Sequence, residues 1–120
     1  MTNPTFISTK AIPSRERLIM ALDVSSIDEA KALVEELGDA VIFYKVGMEI
    51  FMSGDYFGFI EWLKERDKKV FVDLKFFDIP ATVGRAIKAL SSKGVDLATI
   101  HGNNSIMEAA AAAYGEVIHL

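Results

Sequence analysis

The chain contains no cysteine. Disulfides, thiolate-held metals and a cysteine nucleophile are therefore excluded together. No apolar run approaches the roughly 18 residues of a membrane span. No block of like charge occurs either: the net charge of −4 is spread over both signs, which argues against a nucleic-acid backbone as partner. Residues 1–17 hold Lys10, Arg15 and Arg17 but no continuous apolar centre, a poor match to a secretory signal. The expectation is a soluble cytoplasmic protein with a flexible arm over residues 1–17. There is also no serine nucleophile elbow, no Walker loop, and no Gly-x-Gly-x-x-Gly after the first apolar strand.

What is present suits one compact unit. At 120 residues, 51% of them apolar, the chain has material for a core but not for two domains. Leu18 to Asp23 reads as a buried strand. Ser26-Ile27-Asp28-Glu29 has capping-box spacing, and Ile27, Ala30, Leu33, Val34 and Leu37 recur at helical spacing before Gly38. Val41 to Val46 is a second strand, followed by a short helical turn at Glu49 to Met52. Asp55 caps a helix to about Asp67, with Phe57, Ile60 and Leu63 on one stripe. Val70 to Leu74 forms a third strand, and Pro80 opens a helix to Ser92, stopped at Lys93 and Gly94. Asp96 to Ile100 is a fourth strand. Asn104 or Ser105 then caps a helix through Ala113 to Gly115, and Val117 to Leu120 begins a fifth strand.

Four βα units at this spacing suit parallel crossovers, the currency of doubly wound sheets and of the eight-fold barrel. A barrel takes about 250 residues, so residues 18–120 could supply only half of one. Asp23, Lys45, Asp73, Lys75 and His101 all fall at the carboxyl ends of strands, the face on which such folds build active sites. Each also has a plainer role open to it. Asp23 suits a loop cap, and Lys45 can run its stem out to water. Asp73 and Lys75 can be a simple ion pair, Asp78 an N′ or N-cap residue, Thr82 an exposed first-turn residue and His101 a core histidine. His119 is read as structural. Lysines interleaved with carboxylates would repel a divalent cation, so no metal is expected. They suit a reaction that moves negative charge, with a lysine stabilising and then protonating a carbanion.

The stretch Asp73-Leu74-Lys75-Phe76-Phe77-Asp78-Ile79-Pro80-Ala81-Thr82 resembles the signature Asp-x-Lys-x-x-Asp-Ile-Pro-x-Thr of the orotidine 5'-phosphate decarboxylase family, with every fixed position filled. The resemblance implies a TIM barrel of the (β/α)8 type, of which this chain supplies about four βα units plus the start of a fifth strand. It implies a homodimer that converts orotidine 5'-monophosphate to uridine 5'-monophosphate and CO₂ in pyrimidine biosynthesis, without a cofactor. It assigns catalysis to Lys45, Asp73, Lys75 and Asp78. Asp23, Lys45, Thr82, Ile79 and His101 would contact substrate, and Asp78 and Thr82 would act across the dimer interface. In the family a phosphate-gripping loop and a pyrimidine-contacting segment belong to the other half of the barrel, past Leu120.

Three alternatives stand beside this one. The sister 3-keto-hexulose-phosphate decarboxylases and aldolases share Asp-x-Lys-x-x-Asp, but they typically carry Glu where Lys45 stands, lack Ile-Pro-x-Thr and use magnesium. A half-barrel fragment or assembly module would keep the motif without activity. A doubly wound nucleotide-binding module would need a phosphate loop after the first strand, where Val24-Ser25-Ser26 offers no glycine.

Overall fold

A computed structural model describes residues 11–113 and the backbone of residues 118 and 119. Its five strands are all parallel and lie in chain order in one sheet: β1 (Met20–Ala21), β2 (Phe43–Gly47), β3 (Lys69–Phe76), β4 (Leu97–Ile100) and β5 (Ile118–His119). Between them run α1 (Ile27–Leu37), α2 (Met48–Ser53), α3 (Tyr56–Glu65), α4 (Pro80–Ser92) and α5 (Asn104–Ala113). This is the partial half-barrel that the βα repeat anticipates.

Strand alternation divides the sheet into two faces. Tyr44 and Val46 of β2, Val70 and Val72 of β3, and Ala98 and Ile100 of β4 are buried in one core with Val34, Ile60, Leu63, Ile87 and Ala110 of the helices. Lys45, Phe71, Asp73 and Leu97 occupy the alternate positions and are only half-buried. Thr99, also on that face, is buried. The helices thus cover one side of the sheet, and the polar strand-end residues rise from the other.

The caps follow local chemistry. Ser26 accepts the Glu29 amide at the start of α1, but the Glu29 carboxylate takes the Ser25 hydroxyl instead of completing the box. Asp55 accepts the Gly58 amide ahead of α3. Gly38 and Gly94 follow α1 and α4 with φ of 51° and 77°, a region that suits glycine. The segment before β1 is tied down by Glu16, which meets Lys69 of β3 at 2.7 Å, and by Arg15, which donates to the Asp39 carbonyl.

Several boundaries differ from the sequence reading. The first strand is two residues long rather than six, because among the described residues it pairs with β2 alone; Leu18 and Ile19 stand exposed. Phe57 lies outside the buried stripe of α3, which is Tyr56, Phe59, Ile60 and Leu63. Tyr56 leads because its spacing to Ile60 and Leu63 matches the helical repeat, and its hydroxyl donates to the Val46 carbonyl at 2.9 Å. The cap of α5 is Asn103, whose Oδ1 accepts the amides of Ser105 and Ile106, not Asn104 or Ser105. In α4 the N-cap is Ile79, so of the two positions open to Asp78 it holds N′. Strand β3 runs on to Phe76, two residues past the expected end, for a reason that matters to the site. Gly115, Val117 and Leu120 lie outside the described residues.

Candidate active site

Parallel register sets the site. Gly47 of β2 pairs with Asp73 of β3, which brings Lys45 alongside the same carboxylate. A Cβ on Gly47 would stand 3.3 Å from the Asp73 carbonyl oxygen, so glycine lets the two strands approach closely here. Beyond Val72 the pairing with β4 slips: Val72 faces Ala98, and the next matched pair is Phe76 with Ile100. Asp73, Leu74 and Lys75 therefore stand opposite Thr99 alone. Such a bulge re-aims side chains at the rim of a sheet.

Lys75 has a φ of 52°, left-handed backbone in a residue with a Cβ. That conformation costs roughly 1–2 kcal/mol in an L-residue, and such outliers gather at functional sites. The Lys75 ammonium then sits 2.9 Å from Oδ1 of Asp73, while the Lys45 ammonium lies 3.5 Å from Oδ2. Asp73 is enclosed, its side chain 13% exposed; Lys75 keeps 54% of its own open to solvent. One carboxylate is thus clamped between two ammonium groups, one of which is free to reach outward.

Burial by itself pushes the Asp73 carboxyl upward. Hydrogen bonds from Lys75 and Thr99 and the charges of Lys75 and Lys45 outweigh it and hold the group below the usual carboxylate range. Burial raises the Tyr56 phenol strongly, and the Asp73 charge adds to the effect. Asp73 is accordingly an anion at neutral pH, a fixed negative charge that lines up two positive ones.

An open hollow of about 510 Å³ lies over this cluster, lined by Asp23, Lys45, Gly47, Glu49, Asp73 and Lys75 among others. Four residues singled out from the sequence are thus brought together. The others are placed elsewhere. Asp78 is exposed in the loop before α4 and accepts the Ile79 amide at 2.6 Å. Ile79 and Phe77 project beside it, 69% and 68% exposed. Thr82, in the first turn of α4, accepts from Arg85. The exposed His101 ring packs against Phe77, with centroids 4.3 Å apart, and does not line the hollow.

Sequence reasoning passed over two contributors. The first is Thr99, to which the sequence reading gave no role. A hydroxyl at an inward position of a short apolar strand, level with the charged pair, was the available signal. Tyr56 left a weaker one, a phenol on a buried helical stripe, where such groups need a partner.

The model of the orotidine 5'-phosphate decarboxylase / HUMPS family matches residues 16–118, most of the chain and the whole of this cluster. The chain belongs to that family. It is 69% identical over 108 residues to the orotidine 5'-phosphate decarboxylase of Methylococcus capsulatus (strain Bath), an alignment covering 90% of this chain and 45% of that protein. It is 55% identical over 101 residues to the one from Xanthomonas oryzae pv. oryzae, covering 84% and 42%. The chain therefore spans a little under half the length of the curated family members it matches. Among solved structures, orotidine 5'-phosphate decarboxylase from Pyrococcus horikoshii superposes with a TM-score of 0.75 at 25% identity, over 84% of this chain and 49% of that one. The family member from Lactobacillus acidophilus gives 0.70 at 36% identity, over 78% and 42%. Among the described residues no helix is long and apolar enough to cross a membrane.

Proposed function

We propose that this chain carries the catalytic lysine half of an orotidine 5'-monophosphate decarboxylase, acting in the cytoplasm in pyrimidine biosynthesis. The observation that supports it most is the clamped triad, with the Lys75 ammonium drawn out of the strand by the bulge and held against Asp73. In this reading the bond between C6 and the substrate carboxylate breaks, CO₂ leaves, and the electron pair remains on C6. The Lys75 ammonium faces that developing charge and then gives it a proton, becoming a neutral amine that regains a proton from solvent. Stabilisation by Lys75 acts only as charge develops, so it lowers the barrier rather than merely tightening binding. Asp73 keeps that lysine charged and oriented, and its own charge would crowd the substrate carboxylate. Lys45 and Asp23 would hold the ribose hydroxyls from the floor of the hollow.

The exposed Phe77, Asp78 and Ile79, with Thr82 behind them, form the contact to a second copy in this proposal. Two large apolar side chains open to solvent beside one carboxylate support that assignment, since such patches favour association. His101, packed on Phe77, would steady this loop at the edge of the substrate. No cofactor and no metal takes part. The reading is tested by release of CO₂ from orotidine 5'-monophosphate with Lys75→Ala as the paired variant. Release that disappears with the ammonium supports it. Release that ignores Lys75 rejects it, and the assembly-module reading predicts none from either form.

A further inference from the structure

We propose that Thr99 is a positioning residue of this site: its hydroxyl bridges the Asp73 carboxylate and the Lys75 backbone amide, and so sets where the two charged side chains meet across the bulge. Thr99 is one of the few buried polar residues of the described chain, only 4% exposed. Its Oγ1 donates to Oδ1 of Asp73 at 2.8 Å and accepts the Lys75 N–H at 2.9 Å. A hydroxyl has one proton to give and lone pairs to receive, so both bonds are made at once and neither competes with the other.

The bulge explains the need for it. Where the ladder slips between Val72 and Phe76, the Lys75 amide has no strand carbonyl opposite, and a buried N–H left alone is costly. The Thr99 side chain stands in for the missing carbonyl, and the ladder resumes with the His101 amide on the Phe76 carbonyl at 2.8 Å. The same oxygen fixes the carboxylate rotation. Oδ1 takes Thr99 and Lys75, which leaves Oδ2 turned toward Lys45. A threonine chosen only for its strand preference would be replaceable by valine, which has the same shape and an equal or greater liking for a sheet.

The charged and titratable groups around the Asp73 carboxylate are Lys45 from β2, Lys75 from β3 itself, and Tyr56 from α3, with Asp23 lining the same hollow from the end of β1 and Glu49 from α2. Only Thr99 reaches it from β4. Removing the hydroxyl therefore deletes a donor that no neighbour replaces.

The experiment is an NMR titration of the Asp73 side-chain carboxyl in the wild-type chain, in Thr99→Val and in Thr99→Ser, with thermal unfolding of each. Asp73 is expected to titrate at higher pH in the valine variant and at the wild-type position in the serine variant, and the Lys75 amide to lose its exchange protection only with valine. An unchanged Asp73 titration in folded Thr99→Val overturns the proposal, as does a serine variant that behaves like valine. Where valine does not fold, Thr99→Ala is read against serine in the same way. The kinetic arm rests on the decarboxylase reading: kcat should fall about ten- to a hundredfold with valine, KM should change little, and serine should restore the rate. If this chain, folded and joined to the remaining half of a family member, turns nothing over, that reading fails and the titration still decides the role of Thr99.

Discussion

The Nζ of Lys75 meets Oδ1 of Asp73 at 2.9 Å across a bulge in which Asp73, Leu74 and Lys75 share a single opposing residue, Thr99. The pair is more than a surface ion bridge, because one partner is enclosed and the other is held in left-handed backbone. That combination places a half-exposed positive charge at the hollow with its root fixed.

Backbone strain at Lys75 gives the first expectation. Alanine normally outdoes glycine in regular structure by about 0.5–1 kcal/mol. At a φ of 52° the order should reverse or vanish, with Lys75→Gly at least as stable as Lys75→Ala in urea unfolding. Both variants should lack turnover. A clear advantage for alanine would mean that Lys75 is not held in this conformation.

Acid sensitivity follows from Asp73. Its folded-state carboxyl lies below the ordinary value of 3.8, so its contribution to stability is present above that value and is lost as pH falls through the folded one. In urea unfolding between neutral pH and about pH 3, Asp73→Asn should show a shallower acid-side loss than wild type. Equal slopes would contradict the clamp.

Asp96 ties the sheet to α3. Its Oδ2 accepts both the Lys64 ammonium at 2.8 Å and the Val70 amide at 2.9 Å. Asp96→Ala leaves a strand amide without its partner and should cost roughly 1–3 kcal/mol in unfolding free energy. The Asp73 cluster lies at the other end of β3, so its titration should stay as in wild type.

Self-association should depend on Phe77 and Ile79, the exposed apolar pair beside Asp78. Replacing both by serine should weaken a dimer at least about tenfold by sedimentation, as loss of central apolar anchors does. An unchanged dissociation constant would move the interface elsewhere.

Much of this architecture was legible in the residues. Short, largely apolar runs marked β2, β3 and β4, and Ser26, Asp55, Gly38 and Gly94 marked helix ends through local hydrogen bonding and backbone freedom. Lys45, Asp73 and Lys75 shared a strand-end level because parallel register aligns such ends. The bulge was not legible. A non-glycine residue at positive φ, as at Lys75, carries no sequence mark. Thr99 was hidden for the same cause, since its importance comes from a ladder slip visible only in three dimensions. Asn103 lost the α5 cap to its neighbours in the sequence reading because three consecutive residues there all suit that position.

The most direct test of the account is CO₂ release from orotidine 5'-monophosphate. It is measured on this chain alone and on this chain joined to the remaining half of the Methylococcus capsulatus family member, each with and without Lys75→Ala. The joined protein is expected to release CO₂ and to lose at least about a thousandfold in kcat with Lys75→Ala, the scale of removing a charge-stabilising and proton-donating group together. A folded joined protein without turnover, or one indifferent to Lys75, would contradict the assignment of this cluster as the decarboxylation site.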